Sequence, residues 1–171
     1  LYTNLGLQIL PAKDNPNSQC QRLLVIPVDF ADYPHSLPNV PSKEFIEKGF
    51  FGTSEETGWE SVSSFYEKSS YGNLHLKGTV TDWFRSSKKA YELNSVTKDN
   101  KGNAISDPTI YVLREEVNWV KETQTEFGID ISDYDQDKDG YIDCVQLVYS
   151  CPQKYGDYVA NNSFLYWAFT Y

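Results

Sequence analysis

The chain has 171 residues, with 15 Lys and Arg against 24 Asp and Glu, so its formal net charge at pH 7 is −9. A surface of this charge repels a phosphate backbone, which excludes a general role in nucleic-acid binding. No apolar run approaches the roughly 18 residues of a membrane-spanning helix, and the 40% of hydrophobic residues are enough to form a folded core.

The N-terminal residues 1–22 contain prolines and asparagines and are predicted to form an irregular lead-in. Residues 23–171 are predicted to be the N-terminal part of a single domain. The chain starts at Leu1 and contains no Met. We therefore expect a processed or excised part of a longer protein, from which any signal peptide has been removed.

The first predicted strand is the continuous apolar run Leu23–Val28, which is typical of a strand buried on both faces of a sheet. Pro27 cannot donate a hydrogen bond to a neighbouring strand, so it indicates an edge position or a strand end. The proline-containing residues 31–41 predict a loop after this strand.

Two helices are predicted next. The first is Ser42–Gly49, which ends at its glycine. The second begins at Thr57, because Thr57-Gly58-Trp59-Glu60 fits a capping box. Helical spacing predicts that one face of this second helix is buried, with Val62, Phe65, Tyr66 and Ser69.

The remaining elements alternate between strands and a helix. Leu74–Val80 has the alternating pattern of a half-buried strand, and the polar residues 85–105 predict a surface excursion or hairpin. Asp107-Pro108 is a typical helix start, Cys144–Tyr149 predicts a core strand, and the aromatic Phe164–Tyr171 predicts a further strand. This order predicts an α/β fold, a mixed sheet with helices packed on it.

Residues 135–143 form an acidic loop with the spacing of a calcium-binding loop. Gly140 stands at the turn position, and Tyr141 would offer its backbone carbonyl. Hard oxygen ligands suit Ca²⁺ rather than Zn²⁺. The predicted ligands are Asp135, Asp137, Asp139, Tyr141 and Asp143.

The acidic loop departs from an EF-hand, because position 12 is Gln146 and a strand rather than a helix is predicted to follow. Two carboxylates about 5 Å apart repel each other by about 3 kcal/mol at an effective dielectric constant of 20. This repulsion favours a structural Ca²⁺ in the loop. The alternative is a solvated acidic loop without an ion.

Other candidate groups are weaker. His35 and His75 are the two histidines of the sequence, and no H-E-x-x-H motif is present, so this stretch cannot assemble a zinc site. Asp29 and Asp32 are either an acid–base pair or, as we favour, turn and capping groups. The tryptophans favour core packing over a sugar-binding platform; they are Trp59, Trp83, Trp119 and Trp167.

The sequence has three cysteines, too few for a disulfide scaffold. Cys144 and Cys151 flank a predicted strand and would lie about 23 Å apart along it, so they cannot pair. Cys20 and Cys144 each precede a predicted strand, and they either form a disulfide at one end of the sheet or remain buried thiols.

Taken in order, several segments resemble the immune inhibitor A family of zinc metallopeptidases. The resemblance covers roughly residues 23–151, with weaker similarity in Phe164–Tyr171. The helix ending in Ser-Tyr-Gly followed by the acidic loop is its most specific part. The segments are Leu24–Phe30, Phe50–Gly52, Ser61–Gly72, Leu74–Trp83 and Tyr134–Asp143.

This resemblance implies a secreted endopeptidase with a metzincin-like α/β catalytic domain that cleaves protein or peptide substrates. In this family H-E-x-x-H and a further histidine hold the zinc, and the glutamate activates water. The sequence lacks this motif, so no catalytic residue is carried over, and we expect the chain to be truncated before the zinc-binding helix and inactive alone. The acidic loop carries over as a calcium site.

Two other functions compete with this one. The first is a non-enzymatic, calcium-stabilised binding or adhesion module, including a degenerate peptidase relative. The second is an acidic, aromatic-rich carbohydrate-binding domain.

Overall fold

The computed structural model describes residues 20–90, 92, 97–98, 104–106, 108–123 and 126–151. Of the predicted irregular lead-in, residues 1–22, the part up to residue 19 lies outside these residues, and residues 20–22 belong instead to the first strand, so the predicted lead-in is three residues too long. The predicted strand Phe164–Tyr171 also lies outside the described residues. The described elements, in chain order, are β1 (Cys20–Asp29), α1 (Lys43–Phe51), α2 (Ser54–Thr57), α3 (Val62–Ser69), β2 (His75–Val80), β3 (Phe84–Arg85), β4 (Thr97–Lys98), β5 (Ala104–Ser106), α4 (Pro108–Thr123), a 3₁₀ helix (Ile131–Tyr134) and β6 (Val145–Tyr149).

Strand β1 is the centre of the main sheet, and β2, β3 and β6 all pair with it in parallel. Along one edge, β2 pairs with the first part of β1 and β3 with its last two residues, while β6 occupies the other edge. Strands β4 and β5 form a separate antiparallel pair, as expected for a hairpin in residues 85–105. The α/β class is confirmed, and the described part of the main sheet is parallel rather than mixed.

The position of Pro27 differs from the prediction, because it lies inside the central strand and not at an edge or end. The backbone groups of Val25 and Asp29 point toward β2 and β3, where their carbonyls accept hydrogen bonds from Thr81 and Ser86. Pro27 points to the same side, at the gap between Val80 and Phe84 where β2 has ended and β3 has not begun. Its missing N–H therefore costs the sheet no hydrogen bond.

Helices cover both faces of the sheet, so β1 is buried on both sides as predicted. On one face, Leu23 and Val25 pack with Ile46 of α1 and with Val80. The other face of β1 packs with residues of α4 and of the segment around the 3₁₀ helix; this core contains Leu24, Ile26, Val28, Phe30, Ala90, Val120, Ile129 and Tyr134.

The first two predicted helix boundaries shift in the structure. Helix α1 continues through Gly49 to Phe51, with Ser42 as N-cap and Gly52 as C-cap. The capping box is formed by Thr53 and Glu56, at the start of the short helix α2. The predicted start at Thr57 is wrong, because Thr57 is the last residue of α2 and the left-handed Gly58 (φ 72°) ends that helix.

Helix α3 starts at Val62, after the N-cap Ser61. Its predicted buried face is wrong in part, because Phe65 is 55% exposed and Ser69 is exposed. The helix instead approaches β2 through a polar contact, in which Ser63 Oγ donates to the Leu76 carbonyl at 2.7 Å.

Among the described residues, no helix is long and apolar enough to cross a membrane. Cys144 has a free thiol, so of the two alternatives for this residue the structure shows the thiol and not the disulfide. Burial raises the pKa of this thiol, and the charge of Asp143 raises it further.

Candidate metal site

The acidic loop is held to the central sheet at both ends. Before it, Tyr134 at the end of the 3₁₀ helix is 2% exposed and packs in the core. At its far end, the Asp143 N–H donates to the Tyr134 carbonyl at 2.8 Å, and the Cys144 carbonyl accepts from Leu24 of β1 at 3.0 Å. The two ends of the loop are thus bridged directly, and its exit leads into β6.

Three of the predicted ligands converge in this loop. One carboxylate oxygen from each of Asp135, Asp137 and Asp143 lies within 4.8 Å of the others. Oxygens bound to one Ca²⁺ lie 2.3–2.6 Å from it and therefore at most about 5 Å from each other. The spacing of the three oxygens matches a shared Ca²⁺.

Backbone N–H groups turn toward the same carboxylates and shape the loop. The turn uses two left-handed residues, Lys138 (φ 61°) and Gly140 (φ 91°). The N–H groups of Asp139 and Gly140 each donate to the Asp135 carboxylate at 3.0 Å. The Asp139 N–H also donates to the Asp137 carboxylate at 3.1 Å, and the Gln136 N–H donates to the Asp143 carboxylate at 2.6 Å.

Of the other two predicted ligands, Asp139 is placed differently, and the Tyr141 backbone carbonyl stays a prediction. Asp139 is not part of the converging group, and its Oδ1 accepts from the Tyr141 N–H at 2.9 Å. The Tyr141 side chain is 76% exposed, while the next residue, Ile142, packs against the core. Gln146 is exposed on β6, in agreement with the departure from an EF-hand.

A second polar cluster lies at the carboxyl end of β1. The Asp29 side chain is 1% exposed and accepts from Arg85 Nε at 2.6 Å, from Arg85 Nη2 at 2.8 Å and from His35 Nδ1 at 2.7 Å. Burial alone would raise the pKa of Asp29, but the hydrogen bonds from Arg85 and His35 and the charge of Arg85 outweigh it, and the pKa is lowered. The sequence reasoning missed this cluster, for which it held no local signal.

These contacts favour a structural interpretation of Asp29 and Asp32. Asp29 is fully engaged by Arg85 and His35, and Asp32 Oδ1 accepts from the Ala90 N–H at 2.8 Å. Both aspartates therefore tie the loop after β1 to neighbouring segments.

The two histidines cannot hold one zinc ion together. His35 contacts Asp29, the last residue of β1, whereas His75 pairs with Cys20, its first residue. Cys20 and Asp29 are nine residues apart along the extended strand, a distance of about 30 Å. The histidines therefore do not fit the zinc site implied by the family resemblance.

The described tryptophans differ in burial. Trp59 is 54% exposed and its ring lies 6.1 Å from that of Phe45, so the predicted core packing is wrong for Trp59. By contrast, Trp83 and Trp119 pack on opposite sides of the sheet. Trp83 packs with the α1 side of the sheet and stacks on His35 at 5.3 Å. Trp119 packs on the opposite side, between Phe84 and Phe127. A single sugar-binding platform is therefore not formed by these two side chains.

The parallel sheet with helices on both faces defines an α/β domain, and the acidic loop defines a candidate metal centre on it. A comparison with family models matches residues 12–150 to the immune inhibitor A peptidase M6 catalytic domain. The chain therefore belongs to this family, in agreement with the resemblance found in the sequence. No curated protein matches the chain.

Membership of this family implies a metallopeptidase, zinc as the metal of the parent protein, and proteins as substrates.

Proposed function

We propose that the chain is part of the catalytic domain of a secreted, zinc-dependent endopeptidase, and that its acidic loop holds a structural Ca²⁺. Membership of the M6 family supports the peptidase activity of the parent. The single observation that supports the calcium site is the convergence of Asp135, Asp137 and Asp143 within 4.8 Å.

The role of the ion follows from where the acidic loop lies. Two carboxylates at this separation repel each other by about 3 kcal/mol at an effective dielectric constant of 20. A bound cation converts that repulsion into attraction and holds the 3₁₀ helix end, Tyr134, against the residues that lead into β6. The calcium thus stabilises the packing of β6 on β1 and has no catalytic part.

The zinc ligands of the parent are proposed to be residues that this chain does not contain. The sequence has two histidines and no H-E-x-x-H motif, and the structure separates His35 and His75 along the whole of β1. The chain alone is therefore proposed to be inactive, and residues 23–171 to be the N-terminal part of the catalytic domain.

Secretion is proposed because the resemblance to the immune inhibitor A family implies a secreted endopeptidase. Detection of the parent protein in the culture medium of cells that produce it supports this, and retention inside the cells contradicts it.

The peptidase proposal is tested with the full-length parent protein and the 171-residue chain side by side. Each is loaded with zinc and assayed for cleavage of an unfolded protein, with and without a zinc chelator. We expect chelator-sensitive cleavage by the parent and none by the chain. A zinc-loaded, folded parent without any cleavage contradicts the proposal and favours the calcium-stabilised binding module.

A further inference from the structure

Helix α4 carries a carboxyl group in the core. The Glu116 side chain is 0% exposed. Within the described part of the chain, neither of its carboxyl oxygens has a hydrogen-bond partner. It is thus an unpaired acidic group on a helix that covers one face of the central sheet.

Helical spacing explains why this side chain is buried. Glu116 lies three and four residues before Trp119 and Val120, so the three share one face of α4. Val120 is fully buried in the core with Leu24 and Ile26 of β1, and Trp119 packs against that core. Glu116 therefore occupies a position of the packed face where an apolar residue is expected.

Within the described part of the chain, no opposite charge acts on Glu116. Trp119 of α4 contacts β3, and Glu115 accepts a hydrogen bond from the segment after β3. Val120 packs in the core with residues of the segment 126–134. Of the described charges, that of Glu115 is the one that acts on Glu116, and it is of the same sign. The other described charged groups on α4 are Arg114, Lys121 and Glu122, all exposed. Those on the contacting segments are Arg22, which pairs with Asp133, Arg85, which pairs with Asp29, and Lys88, Lys89, Glu92, Glu126 and Asp130.

An ionised carboxylate buried without a partner is very unfavourable, because it loses its hydration and gains nothing in return. A neutral carboxylic acid in the same place costs far less. Burial first, and then the charge of Glu115, raise the pKa of Glu116 well above its ordinary value of 4.5.

We propose that α4 packs on the sheet with Glu116 in its protonated, neutral form, and that loss of this proton releases α4 from the sheet. The helix then acts as a proton-dependent latch over the core of the domain. This inference is independent of the calcium site and of the peptidase activity.

The direction of the pH dependence follows from linkage. In the unfolded chain Glu116 ionises near pH 4.5, whereas in the folded chain it keeps its proton to higher pH. Above pH 4.5 the folded state therefore binds one proton more than the unfolded state. The contribution of Glu116 to the free energy of unfolding falls as the pH rises toward the folded-state pKa. One proton changes the unfolding equilibrium constant by up to about tenfold per pH unit.

The test is denaturant unfolding of the 171-residue chain between pH 5 and pH 8, for wild type, Glu116→Gln and Glu122→Gln. Glu122 is exposed on the same helix and controls for the change in net charge. At pH 8 we expect the unfolding equilibrium constant of Glu116→Gln to be at least tenfold smaller than that of wild type. The stability of Glu116→Gln should also depend less on pH. Glu122→Gln should follow the wild-type profile.

A second measurement needs no change in the core. The infrared spectrum of the wild-type chain at pH 7 should contain the band of a buried protonated carboxylic acid. Hydrogen exchange of the α4 amides, corrected for intrinsic rates, should show more frequent opening at pH 8 than at pH 5. Parallel pH profiles for wild type and Glu116→Gln, or no protonated-acid band at pH 7, would overturn the proposal.

Discussion

The guanidinium of Arg85 donates two hydrogen bonds to the buried carboxylate of Asp29, from Nε to Oδ1 at 2.6 Å and from Nη2 to Oδ2 at 2.8 Å. The two residues end the parallel strands β1 and β3 and are 56 positions apart in the sequence. Strand β3 is only two residues long, so this pair supplies much of its attachment to the central strand.

Replacing Arg85 by Met should destabilise the chain strongly, because it leaves the 1%-exposed carboxylate of Asp29 with one partner fewer. We expect a loss of about 2 kcal/mol in the free energy of unfolding, in the range of hydrogen bonds to charged groups, because the Arg85 side chain is 52% exposed and only Asp29 is buried. Denaturant unfolding at pH 7 measures it. The control is Arg22→Met, since Arg22 pairs with Asp133 at the surface at 3.4 Å, where such a pair contributes about 0.5 kcal/mol. Equal losses in the two variants would show that the buried pair has no special role.

The lowered pKa of Asp29 predicts a sensitivity to acid. The carboxylate is favoured in the folded state, so its contribution is present above its ordinary pKa of 3.8 and is lost as the pH falls through the lower folded-state pKa. Unfolding measured from pH 5 down to pH 2 should therefore show a loss of stability in wild type. Asp29→Asn should already be less stable at pH 5 and should lose less on acidification. A wild-type profile that coincides with that of Asp29→Asn would contradict this.

Gly78 allows the close approach of β2 to β1. A Cβ at this position would lie 1.8 Å from the Leu23 carbonyl oxygen, a backbone atom that cannot move aside. Gly78→Ala should cost about 1–3 kcal/mol or more, because strand pairing must shift. Gly49→Ala is the control, since a Cβ there meets nothing within 4 Å and Ala stabilises a helix by about 0.5–1 kcal/mol relative to Gly. The melting temperature should fall in Gly78→Ala and rise in Gly49→Ala. An unchanged melting temperature in Gly78→Ala would show that the strands separate without cost.

Local patterns in the sequence predicted the elements whose signal is complete within a few residues. The apolar run of β1, the start of α4 at Pro108 and the spacing of the acidic loop are of this kind. Two overlapping patterns misled the prediction of α2, since Thr53…Glu56 and Thr57…Glu60 both fit a capping box and only the first forms.

Other features depend on which strands become neighbours, and a single sequence does not contain that information. The pairing of Asp29 with Arg85 exists because β1 and β3 end at the same level of the sheet. Pro27 is tolerated in the central strand because β2 and β3 leave a gap beside it. The burial of Glu116 was not predicted, because charged residues are seldom found in a core.

The most direct test of the proposed calcium site is a calorimetric titration of the 171-residue chain with Ca²⁺ at constant ionic strength. We expect one bound ion per chain and at least tenfold weaker binding for Asp135→Asn and Asp137→Asn, whose carboxylates converge with that of Asp143. Asp133→Asn makes the same charge change two residues before the acidic loop and should bind as wild type does. The melting temperature of wild type should rise with calcium, as binding to the folded state requires. No binding at millimolar calcium, or equal binding by all four proteins, would contradict the calcium site.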